Sequence, residues 1–183
     1  MPNYIRNYVP GATFFFTVVT YRRQRILTLE LARKQLRDAI EKVREERPFR
    51  IDGWVLLPDH LHAVWTLPEG DADYSMRWKL IKEEFTESYL AAGGAEGPIS
   101  VSRKLKKERG VWQRRFWEHT IESQDDYIHH MNYLHYNPVK HGLVKRVRDY
   151  PWSTFHRYVK LGIYPQHWGE GPIVFPRMVR EPE

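Results

Sequence analysis

Between residues 49 and 68 the chain reads FRIDGWVLLPDHLHAVWTLP, two apolar runs parted only by Pro58, Asp59 and His60. Runs this close fold back on one another, which predicts an antiparallel hairpin turning at Pro58-Asp59 and so commits the chain to a sheet. Side chains alternate across a strand, placing His60, His62 and Val64 on one face and Leu61, Ala63 and Trp65 on the other. Two imidazoles on one face can converge on an ion, because one ring nitrogen offers a lone pair while the other is fixed by a hydrogen bond. Taken alone, the pair is better read as an exposed turn residue, His60, and a hydrogen-bonded core histidine, His62.

The flanking segments build a domain around this hairpin. ATFFFTVVTY, 12–21, is aromatic and β-branched and predicts a central strand. In 29–47, Ala32, Leu36, Ala39, Ile40 and Val43 recur at helical spacing ahead of Pro48. Trp78, Ile81, Phe85 and Tyr89 predict a second helix over about 75–91, capped by Ser75. Residues 91–110 lack an apolar period and predict a long loop. Residues 111–121 predict a further strand, and Ser123 with Asp126 resembles a capping box opening a helix that runs to Pro138. The order strand, helix, strand, strand, helix, strand, helix predicts a single α+β domain, a ferredoxin-like antiparallel sheet with helices packed on it. It is expected over 1–168, with 169–183 a loosely packed proline-rich tail.

Composition narrows the chemistry. The absence of cysteine excludes disulfides, thiolate nucleophiles and cysteine-bound zinc. The apolar runs are too short to span a membrane and no signal layout opens the chain, so a cytoplasmic protein is expected, with no membrane partner. The net charge of +6 favours polyanionic partners. Its cations cluster: 102–110 and 113–115 hold seven Lys or Arg against one Glu. A solvated basic loop is the plain account of such a run. Trp112, Phe116 and Trp117 in the same segment offer platforms for unpaired bases, so Lys104, Lys106, Lys107, Arg114 and Arg115 are the expected DNA contacts.

In the helix after Ser123, Tyr127, Met131 and Leu134 form a core line from which Tyr133 departs. Tyr133 and Asn137, four apart, share another face with Asp126, His129 and His130 nearby. The following proline disfavours helical geometry at Asn137, giving it a helix-end position and the ordinary role of a cap or turn residue.

LPDHLHAVWTLP, VWQRRFWEHTI, YLHYNPVKHGLV and DYPWSTFHRYV, in this order and spacing, resemble the REP-associated tyrosine transposases, a branch of the single-tyrosine HUH transposases. The resemblance covers nearly the whole chain. It implies that His60 and His62 are metal ligands, that Asn137 holds the third ligand position, and that Tyr133 is the nucleophile. The implied metal is Mg or Mn. The implied substrate is single-stranded DNA carrying a REP-type hairpin and a short 5′ guide, cut through a 5′-phosphotyrosine that frees a 3′-hydroxyl. Asp59 stands where asparagine is frequent in the broader family, and Leu61 is the hydrophobe between the histidines; neither change removes a ligand. Tyr127 and Tyr136 crowd the same helix, so the choice of Tyr133 rests on the match of NYLHYNP.

Two imidazoles and an amide oxygen would leave positions on an ion for a phosphate oxygen and the leaving group. A tyrosine titrating near ~10 needs a cation or a proton acceptor beside it at neutral pH. A monomer is favoured over a homodimer, acting at the nucleoid. Two other readings stay open: a DNA-hairpin binding protein without catalysis, separated by cleavage assays, and a histidine-metal phosphodiesterase using water, separated by the absence of a covalent adduct.

Overall fold

The computed structural model describes residues 7–175. Four strands, β1 (Thr13–Val19), β2 (Arg50–Leu56), β3 (His60–Thr66) and β4 (Trp117–Thr120), form one sheet in the order β2-β3-β1-β4. Every pairing is antiparallel. Helix α1 (Glu30–Glu46) carries the chain from β1 to β2, and β3 returns into the space between those strands. This is the split β-α-β arrangement of a ferredoxin-like α+β domain, as the element order predicts.

Helices α1 and α2 (Tyr74–Ala91) cover one face of the sheet, and α4 (Gln124–Lys140) covers the other. The Phe14-Phe15-Phe16 run serves both. Phe14, Phe16 and Val18 enter the core under α1 and α2, while Phe15 joins Val64, Met131, Tyr133 and Leu134 beneath α4. A strand covered on both faces needs no polar alternation, which is why β1 reads as a continuous apolar run. On the first face Trp65 stacks on Trp78 at 4.1 Å and 16°. On the second, Gly53 admits α4: a Cβ there would stand 2.6 Å from Met131 Sδ and 3.2 Å from a Leu134 methyl.

Several boundaries depart from expectation. Asp73, not Ser75, caps α2, accepting from the Met76 N–H at 2.9 Å. The 91–110 stretch contains a short helix, α3 (Val101–Leu105), capped by Ser100. It is pinned by Arg103, whose buried guanidinium donates to the Arg109 and Trp112 carbonyls at 2.8 and 3.2 Å. The 111–121 strand shrinks to β4, because residues 111–113 leave the ladder to bridge the end of β1.

Ser123 does cap α4, but the Asp126 carboxylate accepts from the Glu122 N–H instead of closing a reciprocal box on Ser123. Helix α4 also continues through Pro138 to Lys140. A proline this late costs one N–H, and the last turn is held by His141 N–H to Asn137 O at 3.0 Å and Leu143 N–H to Pro138 O at 2.9 Å. Asn137 therefore lies inside the helix and is fully buried. A final helix, α5 (Phe155–Lys160), closes the fold against β2 through the Trp54–Thr154 hydrogen bonds.

Candidate active site

Strand β3 lies between β2 and β1, with His60 opposite Val19 and His62 opposite Thr17. Both imidazoles face α4, and both are buried at 2% and 0% exposure, which corrects the exposed-turn reading of His60. The hairpin turn is too short to lift His60 clear of the sheet, so it becomes the first residue of β3. Its Nδ1 lies 2.7 Å from Asp59 Oδ1, and Arg23 reaches Asp59 Oδ2 at 3.3 Å. Burial pushes the Asp59 carboxyl up, but the His60 ring and Arg23 outweigh it and hold the pKa at about 2. His62 Nδ1 lies 2.9 Å from Thr17 Oγ1. Each ring is thus held through Nδ1, which is how proteins orient an imidazole that ligates through Nε2. Burial, with the neighbouring His60, Lys140 and His141, holds His62 well below the usual histidine range and so in its neutral form, the form in which an imidazole can bind a metal.

The α4 face completes the set. Asp126, His130, Tyr133 and Asn137 form one buried line along the helix. Asn137 lies beside His62, and among the described residues neither its amide oxygen nor its amide nitrogen makes a hydrogen bond of good geometry. A buried amide left this way is costly unless something else satisfies it. Two oriented imidazoles and this amide are a donor set that can hold a divalent ion.

Tyr133 is 2% exposed, its ring 5.6 Å from that of His62 and 6.1 Å from Phe15. Its Oη accepts a hydrogen bond from Lys140 Nζ at 2.7 Å. The other two tyrosines point elsewhere. Tyr127 Oη lies 3.4 Å from Tyr158 Oη, and Tyr136 Oη donates to the Gly171 carbonyl at 3.0 Å.

His119, Asp126 and His130 form a second cluster one turn toward the start of α4. His119 Nε2 and His130 Nδ1 each lie 2.9 Å from an Asp126 carboxylate oxygen, and the two rings stack at 4.5 Å and 16°. An ion bound through a ring nitrogen lies in the plane of that ring, and two stacked, nearly parallel planes do not share such a point. The geometry fits a carboxylate holding two imidazoles, on an Asp126 already engaged at the N-terminus of α4.

The basic segment lies apart from this face. Lys104, Lys106, Lys107, Arg114 and Arg115 are exposed. Lys106, Lys107 and Arg114, with Lys79 and Lys82 of α2, line a cavity of about 670 Å³ that also contains Glu83, Glu87 and Glu108. Arg114 is engaged by Glu108 at 2.7 Å. Trp112 is buried against Phe85, and Phe116 packs among Phe16, Tyr74 and Trp78, so these aromatics serve the core more than they offer open platforms. The segment meets the site at one end of the sheet, where Gln113 N–H bonds Val19 O beside His60.

No family model matches the chain. Over 169 residues, 92% of this chain and 91% of the relative, it is 49% identical to the REP-associated tyrosine transposase of Escherichia coli K12. The chain belongs to the REP-associated tyrosine transposase family. A Haemophilus influenzae protein provisionally given the same name is 39% identical over 172 residues, 94% of this chain and 96% of the relative. The solved structure of a REP-associated tyrosine transposase bound to a REP hairpin matches with a TM-score of 0.81 and 45% identity, over 100% of this chain and 99% of that one. The protein is accordingly a DNA transposase with the α+β fold of that family.

Sequence reasoning about this transposase missed four contributors: Thr17 and Asp59, which hold the histidines, Lys140, and Phe175, whose ring meets Tyr133. Only Lys140 left a usable signal. It lies seven residues, two helical turns, beyond Tyr133 and so on the same face. Among the described residues of this family member, no helix is long and apolar enough to cross a membrane.

Proposed function

We propose that this transposase cleaves and rejoins single-stranded DNA beside a REP-type hairpin, with Tyr133 as nucleophile and a divalent ion, Mg²⁺ or Mn²⁺, held by His60, His62 and Asn137. The observation that carries this reading is the approach of the Tyr133 ring to within 5.6 Å of His62, with the buried Asn137 amide beside that imidazole on the same helix face as Tyr133. When bound, such an ion polarises the phosphoryl group and eases departure of the 3′ oxygen. Tyr133 Oη forms a bond to phosphorus as the P–O3′ bond breaks, leaving the 5′ end on tyrosine and a free 3′-hydroxyl. Reversal by an incoming 3′-hydroxyl restores the tyrosine and consumes no water. Asp59 and Thr17 keep the imidazoles aimed, and burial of the site limits competing attack by water.

The hairpin substrate is supported by the matching relative, which was solved on a REP hairpin. Lys104, Lys106, Lys107, Arg114 and Arg115 supply the positive surface that would follow its phosphates. His62 meets Tyr133 and Asn137 of its own chain, which supports action as a monomer. The cytoplasmic nucleoid is the compartment where such a substrate is found. Residues 1–168 form the catalytic domain in this reading and 169–183 a regulatory tail.

Mixing the protein with 5′- or 3′-labelled hairpin strands and Mg²⁺ or Mn²⁺ tests this directly. The expected product is a denaturation-resistant protein–DNA adduct that retains the label lying 3′ to the cut. Binding without cleavage would leave a hairpin-binding protein, and cleavage without adduct would indicate hydrolysis by water.

A further inference from the structure

Lys140, the last residue of α4, is exposed, yet its ammonium reaches the buried Tyr133. The Nζ lies 2.7 Å from Tyr133 Oη and 4.6 Å from the centre of the Tyr133 ring. Side chains two turns apart on a helix share a face, and the continuation of α4 through Pro138 is what brings position 140 onto that of 133. Had the helix stopped at Asn137, the lysine would have left this face. An ammonium has three donors and no acceptor, so toward the phenol it acts as a cation and not as a base.

We propose that Lys140 is a catalytic residue: its ammonium fixes the direction of the Tyr133 oxygen and balances the negative charge on that oxygen as the bond to phosphorus forms or breaks. The inference rests on the reading of Tyr133 as nucleophile. One N–H of Lys140 is directed at Oη and so fixes how the phenol is turned when it meets phosphorus. In cleavage the Oη–P bond forms while P–O3′ breaks; the phenol proton passes to solvent and the 3′ oxygen takes one from solvent. In joining, the electron pair of the Oη–P bond returns to Oη, where Lys140 already donates. Preplaced donors at an oxygen that gains charge act in the transition state more than in the ground state.

The test compares Lys140→Met and Lys140→Arg with the native protein in single-turnover adduct formation on a labelled hairpin, at saturating protein and with the hairpin Kd measured separately. Lys140→Met is expected to lower the saturating rate about 100-fold, the scale seen when one oxyanion donor is removed, with little change in Kd. Lys140→Arg should recover most of that loss. The same comparison is then made on a hairpin whose scissile 3′ oxygen is replaced by sulfur, a leaving group that needs no proton. An undiminished Lys140→Met defect on this substrate supports action at the tyrosine oxygen. Its disappearance would assign Lys140 to the leaving group and overturn the proposal. A weakened Kd with an unchanged saturating rate would make Lys140 a phosphate contact and overturn it equally. Tyr133→Phe in the same assay separates the two readings: an adduct surviving that change would refute the nucleophile assignment itself, whatever Lys140 does.

Discussion

Phe175 meets Tyr133 edge to face, with ring centres 5.4 Å apart and planes at 88°. Its ring is also 5.7 Å from Tyr136, whose Oη donates to Gly171. The tail is therefore not the loose appendage its proline content predicts, at least as far as residue 175, the last described. If Tyr133 attacks DNA as proposed, a ring in this position would compete with the substrate for the face of its phenol. Phe175→Ala, or a chain ending at Trp168, should raise the initial rate of adduct formation several-fold. The melting temperature should stay close to native, because Trp168 still packs on Tyr164. A folded truncation with unchanged or lower activity would remove the inhibitory role.

The three tyrosines of α4 should separate cleanly. Tyr133→Phe removes one oxygen and should abolish both cleavage and adduct while hairpin affinity is retained. Tyr127→Phe and Tyr136→Phe should keep both, since those hydroxyls engage Tyr158 and Gly171. Denaturing gels of the covalent product check this. An adduct lost in Tyr127→Phe or Tyr136→Phe but kept in Tyr133→Phe would move the nucleophile.

Changes to the proposed ligands should fail differently. His62→Ala and Asn137→Ala should weaken Mn²⁺ binding, read by calorimetry in the absence of DNA, and slow cleavage with partial recovery at high Mn²⁺. Thr17→Val should have a milder effect of about tenfold or more on metal affinity, since loss of the group that orients a ligating imidazole costs on the order of 10–100-fold. Native Mn²⁺ affinity in both ligand variants would place the ion elsewhere.

Hairpin binding should weaken steeply with salt. The logarithmic slope is expected to change by about 0.7 for each single-strand phosphate contact removed. Lys106→Ala and Lys107→Ala should each flatten it. Arg114→Ala should do less, because Glu108 already engages that guanidinium at 2.7 Å. Affinity measured from low to moderate salt decides the matter, and a flat response in the native protein would argue against phosphate contacts.

Acid should destabilise the fold through His135. Burial, with Arg157 and His156 nearby, lowers its pKa from 6.5 to about 3, and its Nε2 is held 2.9 Å from Thr154 Oγ1. As pH falls below about 6.5 the unfolded chain takes up this proton while the folded one does not, so stability declines until about 3. Melting of metal-free protein between neutral pH and pH 4 should show a shallower decline in His135→Gln. An identical slope in the two proteins would mean that this histidine is not a source of the acid sensitivity.

Much of this protein is set by short-range geometry. The alternation along β3 put His60 and His62 on one face, and helical spacing gave the buried side of α1 and the shared face of Tyr133 and Asn137. Both follow from backbone repeats of two and 3.6 residues, which any stretch of sequence displays. What the repeats do not carry is which face meets which. Tyr127, Tyr133 and Tyr136 are equivalent by composition, and the meeting of Tyr133 with His62, some seventy residues away in sequence, is decided when α4 packs across the sheet over Gly53. On the opposite face, packing against Phe85 of α2 turned Trp112 into the core, and the continued last turn of α4 brought Lys140 onto the phenol. Local spacing fixes the direction of a side chain within its own element; its neighbour across the core is chosen by how elements distant in sequence fit together, and that choice assembled the site.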